Sequence, residues 1–185
     1  MSHPPASHQR ARRRLLKAGL AMAASGSALA AWGAEQPEWR TLGQILPLLD
    51  QFDHQAGFGV REGWPLPKVL VHCAQSIDYS LDGYPEARSR LFQATAGSAA
   101  FAVFRLRGKM SHPLDEPIPG APAIDDATSL PEATARLRRA IARFQSHQGP
   151  LAPHFAYGAL EHADFELAHV MHIANHLSLL VSPAA

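Results

Sequence analysis

Cysteine is almost missing from this chain: Cys73 is the single one in 185 residues. One thiol cannot build a disulfide framework or a thiolate-rich zinc site. Net charge is nearly missing too. Seventeen Lys+Arg against 16 Asp+Glu leave a formal +1, without the basic excess of a nucleic-acid binder. No apolar run reaches the roughly 20 residues that span a bilayer. Internal repeats, sustained strand alternation and a glycine-rich phosphate loop are absent. Disorder is excluded as well, because 46% of the residues are hydrophobic and only 18% charged. The length suits one domain with an additional segment. What the chain has in excess is histidine, 11 in all.

The first thirty residues differ from the rest. They hold five bases (Arg10, Arg12, Arg13, Arg14, Lys17) and no acid, followed by a short apolar stretch from Ala18 to Ala31. A basic start, a short apolar middle and the small-residue end Ala28-Leu29-Ala30 describe a signal peptide. Arg12-Arg13-Arg14-Leu15-Leu16-Lys17 resembles the twin-arginine export motif, with Leu15 where that motif usually has Phe. The expected organisation is a signal peptide over 1–30, a linker over 31–37 and one domain over 38–182. The expected location is the periplasm. The alternative is an uncleaved basic helix lying on a membrane surface. Cleavage before Ala31 leaves 12 bases against 16 acids, a net charge of −4.

Helical periodicity marks four segments of the domain. Trp39 to Phe52 is the first, with Leu42, Ile45, Leu46, Leu49 and Phe52 on one side; Pro47 predicts a kink or a late start. Leu66 to Leu81 is the second, with Gly83 as a stop signal. Ser129 to His147 is the third, with Ser129 as cap, Pro131 in the first turn and Glu132 at the positive end. Its bases Arg136, Arg138, Arg139 and Arg143 read as a solvated face. Ala163 to Val181 is the fourth. The segment 82–128 between the second and third is rich in Pro and Gly, with room for a short helix over Ser98 to Leu106. A long connection of this kind often forms a lid or rim. Four helices with one long crossover predict an all-α helix bundle, whose core commonly holds metals.

The last helix carries His169, His172 and His176. At about 100° per residue, His169 and His176 differ by about 20° and His172 lies between 40° and 60° from both. The three share one stripe beside an apolar face. Buried imidazoles without partners are costly, and a divalent metal supplies the partner. His172 and His176, one turn apart, suit two cis ligands of one ion. Ile173 stands where a zinc protease of the H-E-x-x-H type has its Glu. A third ligand must come from another helix, and His72 is the best candidate. Cys73 is turned about 100° away and reads as a buried inert thiol. Gln75 and Tyr79 share the His72 side and would either support a ligand or pack elsewhere. His112, His147, His154 and His162 fall in loops or at helix ends and read mostly as solvated or capping groups, with lining the site as the alternative for each.

The run Leu70-Val71-His72-Cys73-Ala74-Gln75-Ser76-Ile77-Asp78-Tyr79-Ser80 resembles the second-helix signature of the domain-of-unknown-function family 1569. So do Gly83-Tyr84-Pro85, the run Pro117 to Pro122, and Pro153-His154-Phe155-Ala156-Tyr157-Gly158 followed by His172 to Leu177. The resemblance spans about residues 38–181 and places the chain in the DinB-like superfamily of four-helix bundles. It implies a divalent metal held by one histidine of the second helix and a His-x-x-x-His of the last: His72, His172 and His176. His169 is additional to that pattern. Some superfamily members are thiol-transferring enzymes.

Two functions follow from these readings. The first is a metal-dependent enzyme, hydrolytic or thiol-transferring, in which three imidazoles leave a position open on Zn²⁺ or Ni²⁺, with Fe²⁺ or Mn²⁺ as further options. The second is a binding or structural module whose metal, if it has one, is a staple. The implied partners are the twin-arginine export machinery, a small-molecule substrate and a second copy in a homodimer. Nucleic acid and a stable membrane span are not expected.

Overall fold

The computed structural model describes residues 38–183. The expected signal peptide over 1–30 and linker over 31–37 lie outside the described residues. The described part is predominantly helical, as the periodicity predicts, with one two-stranded ribbon of two residues per strand.

A 3₁₀ turn over Leu42–Ile45 leads into α1 (Leu46–His54). Pro47 falls in the first turn of α1, where a missing N–H costs nothing, so the outcome is the late start. Strand β1 (Gly59–Val60) follows, then α2 (Leu66–Asp82). Helix α2 ends where Gly83 adopts a φ of 99° and its N–H bonds to the Tyr79 carbonyl. The long connection holds α3 (Arg90–Phe92), which continues through the π-helical turn Gln93–Gly97 into α4 (Ser98–Arg107). Helix α5 (Leu130–Ser146) begins with a capping box. The Ser129 N–H donates to the Glu132 carboxylate at 2.9 Å, and the Glu132 N–H donates to Ser129 Oγ at 3.4 Å. Helix α6 (His162–His176) closes the set.

The last helix is shorter than its sequence suggests. It gives way at Leu177 to a 3₁₀ turn over Leu177–Leu179, and Leu180–Val181 form β2. Val60 pairs with Leu180 and Gly59 with Val181, antiparallel. Pairing with β1 draws these residues into extended backbone, which their side chains tolerate as well as helix. The periodic pattern cannot register a competitor 120 positions upstream.

Helix α2 is the hub, buried on nearly every side, and it packs on α5 and α6. Helix α5 presents Ala133, Leu137, Ala140, Ile141 and Phe144 at helical spacing to that core. Fully burying a side chain such as Leu137 contributes roughly 1.5–3 kcal/mol. The bases of α5 do more than face solvent. Arg138 bonds Asp50 and Asp53 of α1 at 2.7 and 2.9 Å, and Arg143 reaches Asp82 of α2 at 2.6 Å. Helix α4 lies against α6 through a small second core of Phe101, Met110, Ala168 and Met171. No helix among the described residues is long and apolar enough to cross a membrane.

Candidate metal centre

Helices α2 and α6 bring His72, His172 and His176 to one point. His172 Nε2 lies 3.1 Å from His72 Nε2 and 3.0 Å from His176 Nε2. All three offer a ligand nitrogen within 4.8 Å of one another. This is the set that the sequence singles out. The His172–His176 pair follows from the helical repeat. His72 joins because α2, buried on nearly every side, packs against α6.

Three imidazoles meeting in this way need an explanation. One Nε2 carries either a proton or a single lone pair, so His172 has to share it between His72 and His176 and cannot bond both at full strength. The Nδ1 atoms of His72 and His176 are buried and have no hydrogen-bond partner. Burial first, then the neighbouring imidazoles, hold all three rings neutral. His72 is lowered to about 4, His176 to about 2, and His172 well below its ordinary value. Neutral rings leave lone pairs to donate. Nitrogens about 3 Å apart have the spacing of neighbouring donors each about 2.1 Å from one ion. The residues therefore fit a divalent cation.

His112, which the sequence reads mostly as a solvated or capping group, takes the alternative place beside the site. Its ring centre lies 5.0 Å from that of His172 and 4.9 Å from that of His176. Its Nδ1–H donates to the Pro113 carbonyl at 2.8 Å, which leaves the lone pair on Nε2, buried and unpartnered. His112 belongs to the long connection, where no periodicity signals burial. Pro113 after it, which favours extended backbone, is the one local cue.

His169 stands apart from the cluster. It is 2% exposed, and its Nε2 lies 3.1 Å from Ser80 Oγ. Ser80 donates its own proton to the Ile77 carbonyl, so His169 is the donor in that pair. Gln75 donates to the Pro122 carbonyl at 3.4 Å, and Tyr79 packs on Tyr84. Neither supports a histidine of the cluster. Cys73 is buried, and its thiol is pushed far up by burial, as an inert core thiol requires. His154, expected in a solvated loop, is 7% exposed.

A cavity of about 220 Å³ adjoins the cluster, with His72, His112 and His172 in its wall. Phe155, Tyr157 and Met110 supply much of its apolar lining. Residues 35–183 match the model of a family described as "Protein of unknown function (DUF1569)". The chain belongs to the DUF1569 family. No curated protein and no solved structure matches it significantly. In this DUF1569 chain the histidine cluster and the cavity share His72 and His172.

Proposed function

We propose that this protein is an exported, divalent-metal-dependent enzyme of the hydrolytic or thiol-transfer type, built on a DinB-like four-helix bundle of α1, α2, α5 and α6. One observation carries the reading: two of the three clustered histidines, His72 and His172, also line a cavity large enough for a small molecule. Structural sites are usually closed by four protein ligands, whereas catalytic sites keep a position open to substrate. Held by His72, His172 and His176, Zn²⁺ or Ni²⁺ suits an all-nitrogen donor set, and such an ion acidifies a bound water or thiol or polarises a carbonyl. The chain's own part is to keep three imidazoles neutral and the cavity apolar.

Cobalt substitution tests the open position. Adding 2-mercaptoethanol to the Co²⁺-loaded protein is expected to produce a thiolate-to-cobalt charge-transfer band. Failure of the thiol to alter the spectrum contradicts the open site. A second reading, a closed structural staple, is favoured by the buried lone pair of His112 beside the cluster. An unaltered thiol spectrum that becomes thiol-sensitive in His112→Ala supports that reading.

Export rests on the sequence of residues 1–30. Replacing Arg12 and Arg13 by Lys is expected to abolish periplasmic accumulation. Undiminished accumulation contradicts the twin-arginine route.

A further inference from the structure

We propose that the cavity takes a small carboxylate with an apolar body, and that His154 and Arg88 bind its carboxylate end. The orientation of the ligand toward the histidine cluster rests on the metal reading above; the carboxylate subsite does not.

His154 Nδ1 accepts two backbone hydrogen bonds, from Ala156 N–H at 3.1 Å and Tyr157 N–H at 3.2 Å. A nitrogen that accepts twice carries no proton, so the ring proton of the neutral imidazole is on Nε2. Burial keeps the ring neutral, with its pKa lowered to about 3. Among the described residues Nε2–H meets no acceptor, yet it is not a sealed atom, and the ring lines the cavity. A donor of fixed direction therefore faces the space where a ligand would lie.

The loop that carries this donor is heavily constrained. His154 and Gly158 exchange backbone hydrogen bonds at 2.8 and 3.0 Å. The Phe155 carbonyl accepts from Arg88 N–H at 2.9 Å and from Gln93 Nε2 at 3.1 Å. Gly97 of the π-helical turn is pressed so closely on Ala156 that a Cβ there would overlap the Ala156 carbonyl oxygen. The His154 ring stacks on Tyr157, with centroids 4.2 Å apart and planes 6° from parallel. Holding one imidazole this firmly removes the ordering cost that a ligand would otherwise meet.

The ligand's character follows from the wall. Arg88 lines the same cavity, tied to the His154 loop by its own backbone N–H, and its guanidinium lies 5.9 Å from the Phe92 ring centre. No carboxylate of the described residues pairs with it. The other charged wall residue, Glu116, acts electrostatically on His112 at the histidine cluster. Phe92, Met110, Ile118 and Phe155 make the rest of the wall mainly apolar. A neutral N–H donor and a free guanidinium together suit a carboxylate, and the wall suits a hydrocarbon body.

Calorimetric titration of the full-length protein with hexanoate, and with 1-hexanol for comparison, tests this in chelator-treated and zinc-loaded forms. His154→Asn keeps an acceptor near the Nδ1 position and loses the Nε2–H donor; His154→Gln restores an N–H near the Nε2 position. We expect chelator-treated wild type to prefer hexanoate to hexanol by about tenfold or more, and His154→Asn and Arg88→Ala each to lose about tenfold. His154→Gln recovers part of that loss, and the thermal midpoint of His154→Asn stays near wild type. No hexanoate binding, or equal binding by wild type and both variants, overturns the proposal. Zinc uptake separates the two readings. Hexanoate binding that depends on His154 in a protein that takes up no zinc sinks the metal reading alone. Normal zinc uptake with hexanoate binding indifferent to His154 sinks this proposal alone.

Discussion

His72 Nε2 on α2 and His172 Nε2 on α6 lie 3.1 Å apart, although one hundred positions separate them in the chain. Neutral imidazoles at this distance, with a third ring alongside, form a site whose free energy depends on what fills it. Loading with a tightly bound ion is expected to raise stability. At free Zn²⁺ one hundred times its Kd the gain is about 2.7 kcal/mol, read as a higher thermal midpoint that excess chelator reverses. A midpoint that ignores zinc contradicts this.

The close approach of Gly97 to the Ala156 carbonyl leaves no room for a methyl group. Gly97→Ala must push the 154–158 loop away from the π-helical turn. We expect a loss of about 1–3 kcal/mol in chemical denaturation, the cost of overpacking at a site whose neighbour is backbone. Unchanged stability would mean that the loop yields freely.

Acid should weaken the protein through its buried histidines, with His154 and His169, outside the metal cluster, contributing alongside the emptied cluster itself. Burial lowers both His154 and His169 from 6.5 to about 3. Above pH 6.5 these rings are neutral in the folded and the unfolded chain, so the full stability is present. As pH falls below 6.5 the unfolded chain binds protons that the folded chain refuses. Stability therefore drops, and the drop continues down to about pH 3. By pH 5 each ring costs about 2 kcal/mol. Urea midpoints of chelator-treated protein at pH 7.5 and 5 check this, and equal midpoints contradict it.

The capping box of α5 offers a local test. Ser129→Ala removes the acceptor for the Glu132 N–H and is expected to cost about 1 kcal/mol. Restoring the cap with Ser129→Asp should recover most of it. A loss that Asp does not recover assigns Ser129 some role other than capping.

Much of this was legible in the sequence because it is local. Gly83 stops α2, Ser129 and Glu132 start α5, and Pro47 delays α1, each by backbone chemistry within one turn. The His172–His176 pair follows from the helical repeat. What escaped is long-range. The β1–β2 pairing that ends α6 early joins residues far apart in the chain. His154 is buried and His112 half-buried by the folding of irregular segments, where no period reports which side faces inward. The partners of Arg138 and Arg143 are acids of other helices, which spacing within α5 cannot reveal.

The most direct test of the central claim is elemental analysis of native protein beside His72→Ala, both purified without chelator and shown to be folded by circular dichroism. About one equivalent of a divalent transition metal is expected in the native protein and only a small fraction of that in the variant. Equal metal in the two, whether both hold it or neither does, contradicts a site built from His72, His172 and His176.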